Sequence, residues 1–389
     1  MRFTHRTGLA VELYEDRGAG SVAICWTYKS GFRDDPAGLA GLVHVGEHLV
    51  FEQGTTDTSG SVEHRAACQG LIAGAKTMPN CTQITFLCDA ADVLAALELH
   101  LPGRPLGGEQ AYLSAISAVD AEVRDSLARH HGRREPWVDL SQSLYREWSL
   151  SHDGFGYGVK ELRGAYGDVH DFLASAFSAS NCVLTVTGDF RSSDVINYLD
   201  RIELPAYSQT YASADRETQP IQWHKPSEQI VAGSSGAILP GPELSLADYM
   251  AVWFAVEALK MSLPDIDMSL GFFGPLRSRS PETLVMSDRM GRVIDIHHVR
   301  ATVSRLLTAT EDEVCEARRH LRFAMHHEFS GQQGRTSTLG RLTALCGPGT
   351  GSRALRAAFE NLGPAHLCRG ASLLMESLDQ QQSESGMSA

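Results

Sequence analysis

Two histidines and a glutamate stand close together near the N-terminus, in Gly41-Leu42-Val43-His44-Val45-Gly46-Glu47-His48-Leu49-Val50-Phe51. The order His-x-x-Glu-His is the inverted form of a zinc-protease signature. At about 100° per residue, a helix gathers His44, Glu47 and His48 into an arc of about 100°, with Leu39, Leu42, Val43, Leu49 and Val50 on the opposite side. Two imidazoles one turn apart can then share one metal ion. The carboxylate between them is close enough to take a proton from a water that the metal activates, so Glu47 is the candidate general base.

A catalytic zinc usually has three protein ligands and one open position, so a third donor has to come from elsewhere in the chain. The best candidate is Glu122, in Val119-Asp120-Ala121-Glu122-Val123-Arg124, at the edge of the apolar stripe of a long amphipathic segment. Asp120 and Asp125 are fallback ligands, and a solvated helix glutamate is the bland reading of Glu122. Paired histidines also occur at His130-His131, His297-His298 and His326-His327. Neighbours on a helix diverge by about 100° and do not converge on one ion, so these pairs are expected to be structural or surface residues.

The elements that must position these residues follow from periodicity and turn chemistry. Residues 21–29 (SVAICWTYK) read as a strand that ends at Gly31 and Asp34-Asp35-Pro36, followed by a helix over about 37–51. Residues 83–88 read as a second strand. The segment 109–131 carries Leu113, Ile116, Val119, Val123 and Leu127 at helical spacing, and 182–187 is a further strand closed by Gly188-Asp189. The second half repeats the logic, with a strand near 230–239, a helix over 246–259 and a long helix over 311–329.

At 389 residues the chain exceeds what one core supports, so two units are expected. We read an α+β protein of two tandem α/β units, each with an antiparallel-rich sheet packed against helices. Residues 1–200 form the metal-binding unit, 201–225 a polar linker, 226–378 a second unit without a metal motif, and 379–389 a flexible tail. The net charge of -13 and the lack of a long Lys/Arg run disfavour nucleic acid. The eight cysteines show no CxxC or regular spacing and read as free thiols. With no apolar signal core and no window of about 18 uninterrupted apolar residues, a cytoplasmic protein without a membrane span is expected.

The segment 31–55 (GFRDDPAGLAGLVHVGEHLVFEQGT) resembles the glycine-rich lead-in, HxxEH helix and Phe-x-x-Gly-Thr exit of the insulinase (pitrilysin) family of zinc peptidases. Residues 70–82 (GLIAGAKTMPNCT) are similar to the family strand that reads Gly-Gly-x-x-Asn-Ala-x-Thr, and 183–189 looks like the strand closing its first domain. Glu122 matches the family's third ligand. The resemblance implies one zinc ion per chain on His44, His48 and Glu122, and an unfolded peptide added as a strand beside Gly74, Ala75, Lys76 and Thr77. It also implies half of a clamshell, similar to the subunits of mitochondrial processing peptidase, that is completed by a second chain.

The pattern breaks at two places. Gly74 stands where the family strand has Asn, and Lys76 stands at the following aromatic position. In the second half the family's Leu-Arg and Leu-x-Tyr, which hold the tetrahedral oxyanion, correspond to Leu276-Arg277 and Leu284-Val285-Met286, so the tyrosine is missing. Losing one oxyanion donor typically costs about 100-fold or more in rate. The expected assembly is therefore a heterodimer whose other chain supplies the Arg/Tyr pair, with a homodimer as the alternative. The expected function is zinc-dependent endopeptidase action on extended peptides, with leader-peptide removal as one such role. The alternative is a subunit that holds peptide without cutting it.

Overall fold

The computed structural model describes residues 1–52, 61–131, 134, 136–204, 234–348 and 351–386. The α+β expectation holds. Strands β1 (Arg2–Thr4), β2 (Ala10–Glu15), β3 (Ser21–Tyr28), β4 (Ile72–Thr77), β5 (Thr82–Asp89) and β6 (Cys182–Gly188) form a six-stranded sheet in the order β1-β2-β6-β3-β5-β4. Neighbours are antiparallel except for the β2/β6 pair. Strand β3 lies inside the sheet and is buried at every residue after Ser21. Its apolar run from Val22 to Trp26 is what a strand covered on both faces requires. Cys25 and Cys182 lie buried in β3 and β6 as free thiols; Cys182 packs in the apolar core, whereas Cys25 Sγ accepts from Gln83 Nε2 at 3.2 Å.

On β5 the two faces separate by alternation. Ile84, Phe86 and Cys88 enter the main core. Gln83 and Thr85 face the other side, where Gln83 Nε2 donates to Ser337 O (2.8 Å) and Thr85 Oγ1 accepts from Gln333 Nε2 (2.9 Å). Both partners lie on the helix Gly331–Cys346. The same helix places Thr336 Oγ1 2.6 Å from Thr187 Oγ1, and Thr343 Oγ1 donates to the buried Glu12 at 2.8 Å.

That helix explains why the compact units are not the contiguous halves expected. One unit comprises Met1–Gly132, Asp153–Glu217 and Glu328–Ala344; the other comprises Arg133–His152, Thr218–His327 and Leu345–Ala389. Each unit takes a segment from the other half. The borrowed helix of the first unit meets the sheet through hydroxyls and amides, while its Leu339, Leu342 and Leu345 are buried as well, so its apolar residues do not mark the contact with the sheet. In the second unit, Leu140 and Leu144 of the helix Pro136–Leu144 join Tyr145, Leu150 and Ile238 in a small core. There β7 (Ser234–Leu239), β8 (Ile266–Leu270) and β9 (Glu282–Asp288) form an antiparallel sheet in the order β7-β9-β8.

Two boundaries differ from the sequence reading. The motif helix starts at Leu42 rather than near 37, because Gly41 is left-handed (φ +84) and the Asp35 carboxylate accepts from Gly41 N and Val43 N, both at 2.7 Å. The last helix, Pro364–Gly386, runs through most of the segment expected to be a tail. From residue 205 onward the expected linker 201–225 lies outside the described residues, as do Gly54 and Thr55. No helix among the described residues is long and apolar enough to cross a membrane.

The motif helix Leu42–Glu52 is seated by close packing behind its ligand face. A Cβ on Gly46 would stand 2.3 Å from Phe177 Cε2 and 2.8 Å from Leu173 Cδ2. Gly46→Ala is expected to lower the unfolding free energy by about 1–3 kcal/mol in a urea titration, as overpacking does.

Candidate metal centre

On the motif helix, His44, Glu47 and His48 are only 7%, 8% and 9% exposed. Opposite them runs the helix Glu109–Arg129, whose buried Val119 and Val123 turn the half-exposed Glu122 toward the motif. His44 Nε2 lies 3.4 Å from Glu122 Oε2, and His48 Nε2 lies 3.4 Å from Glu122 Oε1. One donor atom from each of the three falls within 4.8 Å of the others, the one such His/Cys/Asp/Glu cluster among the described residues. Two donors of a tetrahedral ion at about 2.0–2.1 Å are separated by about 3.4 Å, so the spacing fits a zinc-sized ion.

The imidazole orientation is fixed from behind. His44 Nδ1 donates to the Phe155 carbonyl at 2.8 Å, which leaves Nε2 of the neutral ring to face Glu122. Phe155 itself is held by Asp153, whose carboxylate accepts from Phe155 N at 2.9 Å and from Tyr157 N at 2.5 Å. A backbone carbonyl is silent in sequence. Asp153-Gly154-Phe155-Gly156 signals a turn, but nothing in it says that the turn meets His44.

Without a bound ion, the cluster behaves as an ion pair. The close approach of His44 and His48 holds the Glu122 carboxyl far below the usual carboxylate range. Burial disfavours protonated His44, but contact with Glu122, the charge of Glu47 and the Phe155 carbonyl outweigh it and raise its pKa.

The fallback ligands are engaged elsewhere or apart from the cluster. Asp120 meets Arg124 (3.3 Å) and Lys160 (3.1 Å), and Asp125 is exposed outside the cluster. All six paired histidines are exposed, and none belongs to a metal-ligand cluster among the described residues.

Gly74, Ala75, Lys76 and Thr77 lie together on β4, at the sheet edge, but on alternating faces. Ala75 packs on the main core, and Thr77 Oγ1 donates to Glu47 Oε2 at 2.5 Å. Lys76 is exposed on the opposite face, opposite Gln83 in the strand register. At Gly74 a Cβ would make only an ordinary 3.5 Å contact with Thr85 Oγ1, so no close approach within the chain requires glycine. In the second unit, Arg277 is half-buried and its Nη1 donates to Pro275 O at 2.5 Å. The preceding Leu276 is left-handed (φ 58), and its N–H donates to the buried Tyr249 hydroxyl at 2.8 Å. Met286, which the family resemblance sets where a tyrosine is expected, is fully buried in β9.

Solved structures share this architecture over nearly the whole chain. A protease from Helicobacter pylori superposes with a TM-score of 0.74 at 15% identity, covering 96% of this chain and 95% of that one. A protein from Alicyclobacillus acidocaldarius described as an M16-like peptidase gives 0.71 at 13% identity, covering 97% and 96%. The chain has the M16-like peptidase fold. A chain of Complex III2 from Candida albicans, with Inz-5 bound, gives 0.70 at 12% identity, covering 96% and 92%. Neither a protein-family model nor a curated protein sequence matches the chain. At these identities the likeness establishes the fold, and the centre itself has to carry any claim about chemistry.

Two outcomes follow from the geometry. Metal binding requires neutral imidazoles, and the raised His44 pKa keeps a proton on that ring to higher pH. Affinity for a divalent metal is therefore expected to fall as pH drops from about 8 toward 5, with the loss starting above the ordinary imidazole value of about 6.5. Asp153→Ala frees the Phe155 carbonyl and is expected to weaken metal affinity about tenfold or more. Competition against a chromophoric chelator measures both effects.

Proposed function

We propose that the chain is a zinc-dependent endopeptidase that hydrolyses extended or unfolded peptides. The observation that carries the reading is the constellation in which two buried imidazoles face the two oxygens of the half-exposed Glu122 while Thr77 holds Glu47 beside them. His44, His48 and Glu122 would hold the ion. When bound, zinc would supply Lewis-acid polarisation of the scissile carbonyl and activate a water for attack. Glu47 is the proton carrier: with Oε2 occupied by Thr77, Oε1 takes the proton from the attacking water and delivers it to the departing amine. The two peptidases among the structural neighbours support the same reaction class here.

The peptide is taken up at the β4 edge, where backbone hydrogen bonds give affinity with loose sequence selectivity. It runs beside Gly74, Ala75, Lys76 and Thr77. Arg277 is the candidate oxyanion donor of the second unit. Because Met286 is buried packing where a tyrosine donor would stand, a related partner chain is the preferred source of an Arg/Tyr pair, ahead of a homodimer. Leader-peptide removal from a modified peptide is the biological role this arrangement suits. The same missing tyrosine favours a second reading, a subunit that holds peptide without cutting it.

The zinc-loaded protein, alone and with a related partner chain, is tested on a mixed pool of unstructured peptides. Expected are hydrolysis abolished by chelation and restored by zinc, and a loss of at least about 100-fold in Glu47→Gln. Peptide binding with no hydrolysis by either form would establish the second reading.

A further inference from the structure

Thr77 stands at the end of β4, the edge strand, and reads from sequence as a contact for substrate. Its side chain does something else. Along β4 the odd-numbered positions share one face, and their partners across the strand pair are Phe86 for Ala73, Ile84 for Ala75 and Thr82 for Thr77. Ile84 and Phe86 are core residues, so this is the face turned inward, where the motif helix lies. There the Thr77 hydroxyl donates to Glu47 Oε2 at 2.5 Å.

We infer that Thr77 is the positioning residue of the general base, so that the strand receiving the peptide also sets the orientation of Glu47. This inference rests on the peptidase reading above. A threonine hydroxyl has one proton to give, and here it goes to Glu47. The neighbouring Thr82 hydroxyl, 3.5 Å away, spends its own proton on the Ser30 carbonyl at 2.8 Å, and Thr82 is fully buried. Thr77 therefore packs against a locked neighbour. Its β-branch restricts rotation about χ1, which further fixes the hydroxyl.

Glu47 is 8% exposed, so water supplies little of what the carboxylate needs. The Thr77 bond fixes one oxygen and thereby aims the other. A peptide strand added to β4 bonds to the backbone that carries this hydroxyl, so docking of substrate and alignment of the base are coupled through one residue.

The experiment uses the zinc-loaded protein and one internally quenched peptide chosen from those the wild type cleaves in a chelator-sensitive way. Thr77→Val removes the hydroxyl at nearly constant shape, and Thr77→Ser keeps it. In Thr77→Val, bound zinc by elemental analysis is expected to stay at the wild-type level. Turnover falls about tenfold to 100-fold, as for loss of a hydrogen bond to a charged group, while KM stays within about twofold. Thr77→Ser recovers most of the turnover.

A readout independent of turnover is the peptide Kd by fluorescence anisotropy in a Glu47→Gln background, expected to be unchanged by Thr77→Val. A higher KM and Kd with turnover kept would assign Thr77 to docking alone and overturn the inference, as would equal loss in the Val and Ser variants. Hydrolysis that Thr77→Val leaves intact overturns only this inference. A wild type that cleaves no peptide in a chelator-sensitive way overturns the peptidase reading and the base role together.

Discussion

Three polar side chains on one helix, His44, Glu47 and His48, are each at most 9% exposed, and the groups that meet them all come from the first unit. Burying imidazoles and a carboxylate without partners would cost several kcal/mol. Partners arrive from three separate parts of the chain: Glu122 from the long facing helix, the Phe155 carbonyl from the Asp153 turn, and the Thr77 hydroxyl from the sheet edge. The Asp35 cap and the tight seat of Gly46 hold the motif helix where all three can reach it. The polar face thus meets a helix, a turn and a strand at once.

Much of this was readable from residue types and spacing. HxxEH at 44–48 marks a candidate metal pair with a candidate base between them, and the edge of a 3.6-period stripe whose Val119 and Val123 are buried points to Glu122, which the structure brings beside both histidines. The continuous apolar run of β3 and the alternation in β5 give the centre of the sheet and one of its covered faces. The rest depends on contacts that sequence does not encode locally. A backbone carbonyl from Phe155 has no residue signature. Thr77 looks like any strand threonine until the register places it opposite Thr82 and beside Glu47.

The exchange of segments between the units was hidden for a related reason. The helix Gly331–Cys346 reaches the sheet through Gln332, Gln333, Thr336 and Thr343, whose hydroxyls and amides meet Ser21, Thr85, Thr187 and Glu12. Hydrophobic periodicity finds apolar faces, and this contact is polar. The second unit keeps Arg277 on a loop whose left-handed Leu276 donates its N–H to Tyr249, and it buries Met286, which the family resemblance sets where a tyrosine is expected. The fold is also that of a Complex III2 chain, so the architecture by itself does not decide between cutting and holding a peptide. The residues of the candidate metal centre carry that decision.

The most direct measurement is elemental analysis of the purified chain after dialysis, beside the His48→Ala and Glu122→Ala variants. The ligand set predicts about one zinc per chain in the wild type and its loss in both variants. A wild type that holds no metal under zinc-replete conditions, or a Glu122→Ala variant that keeps its zinc, would contradict it.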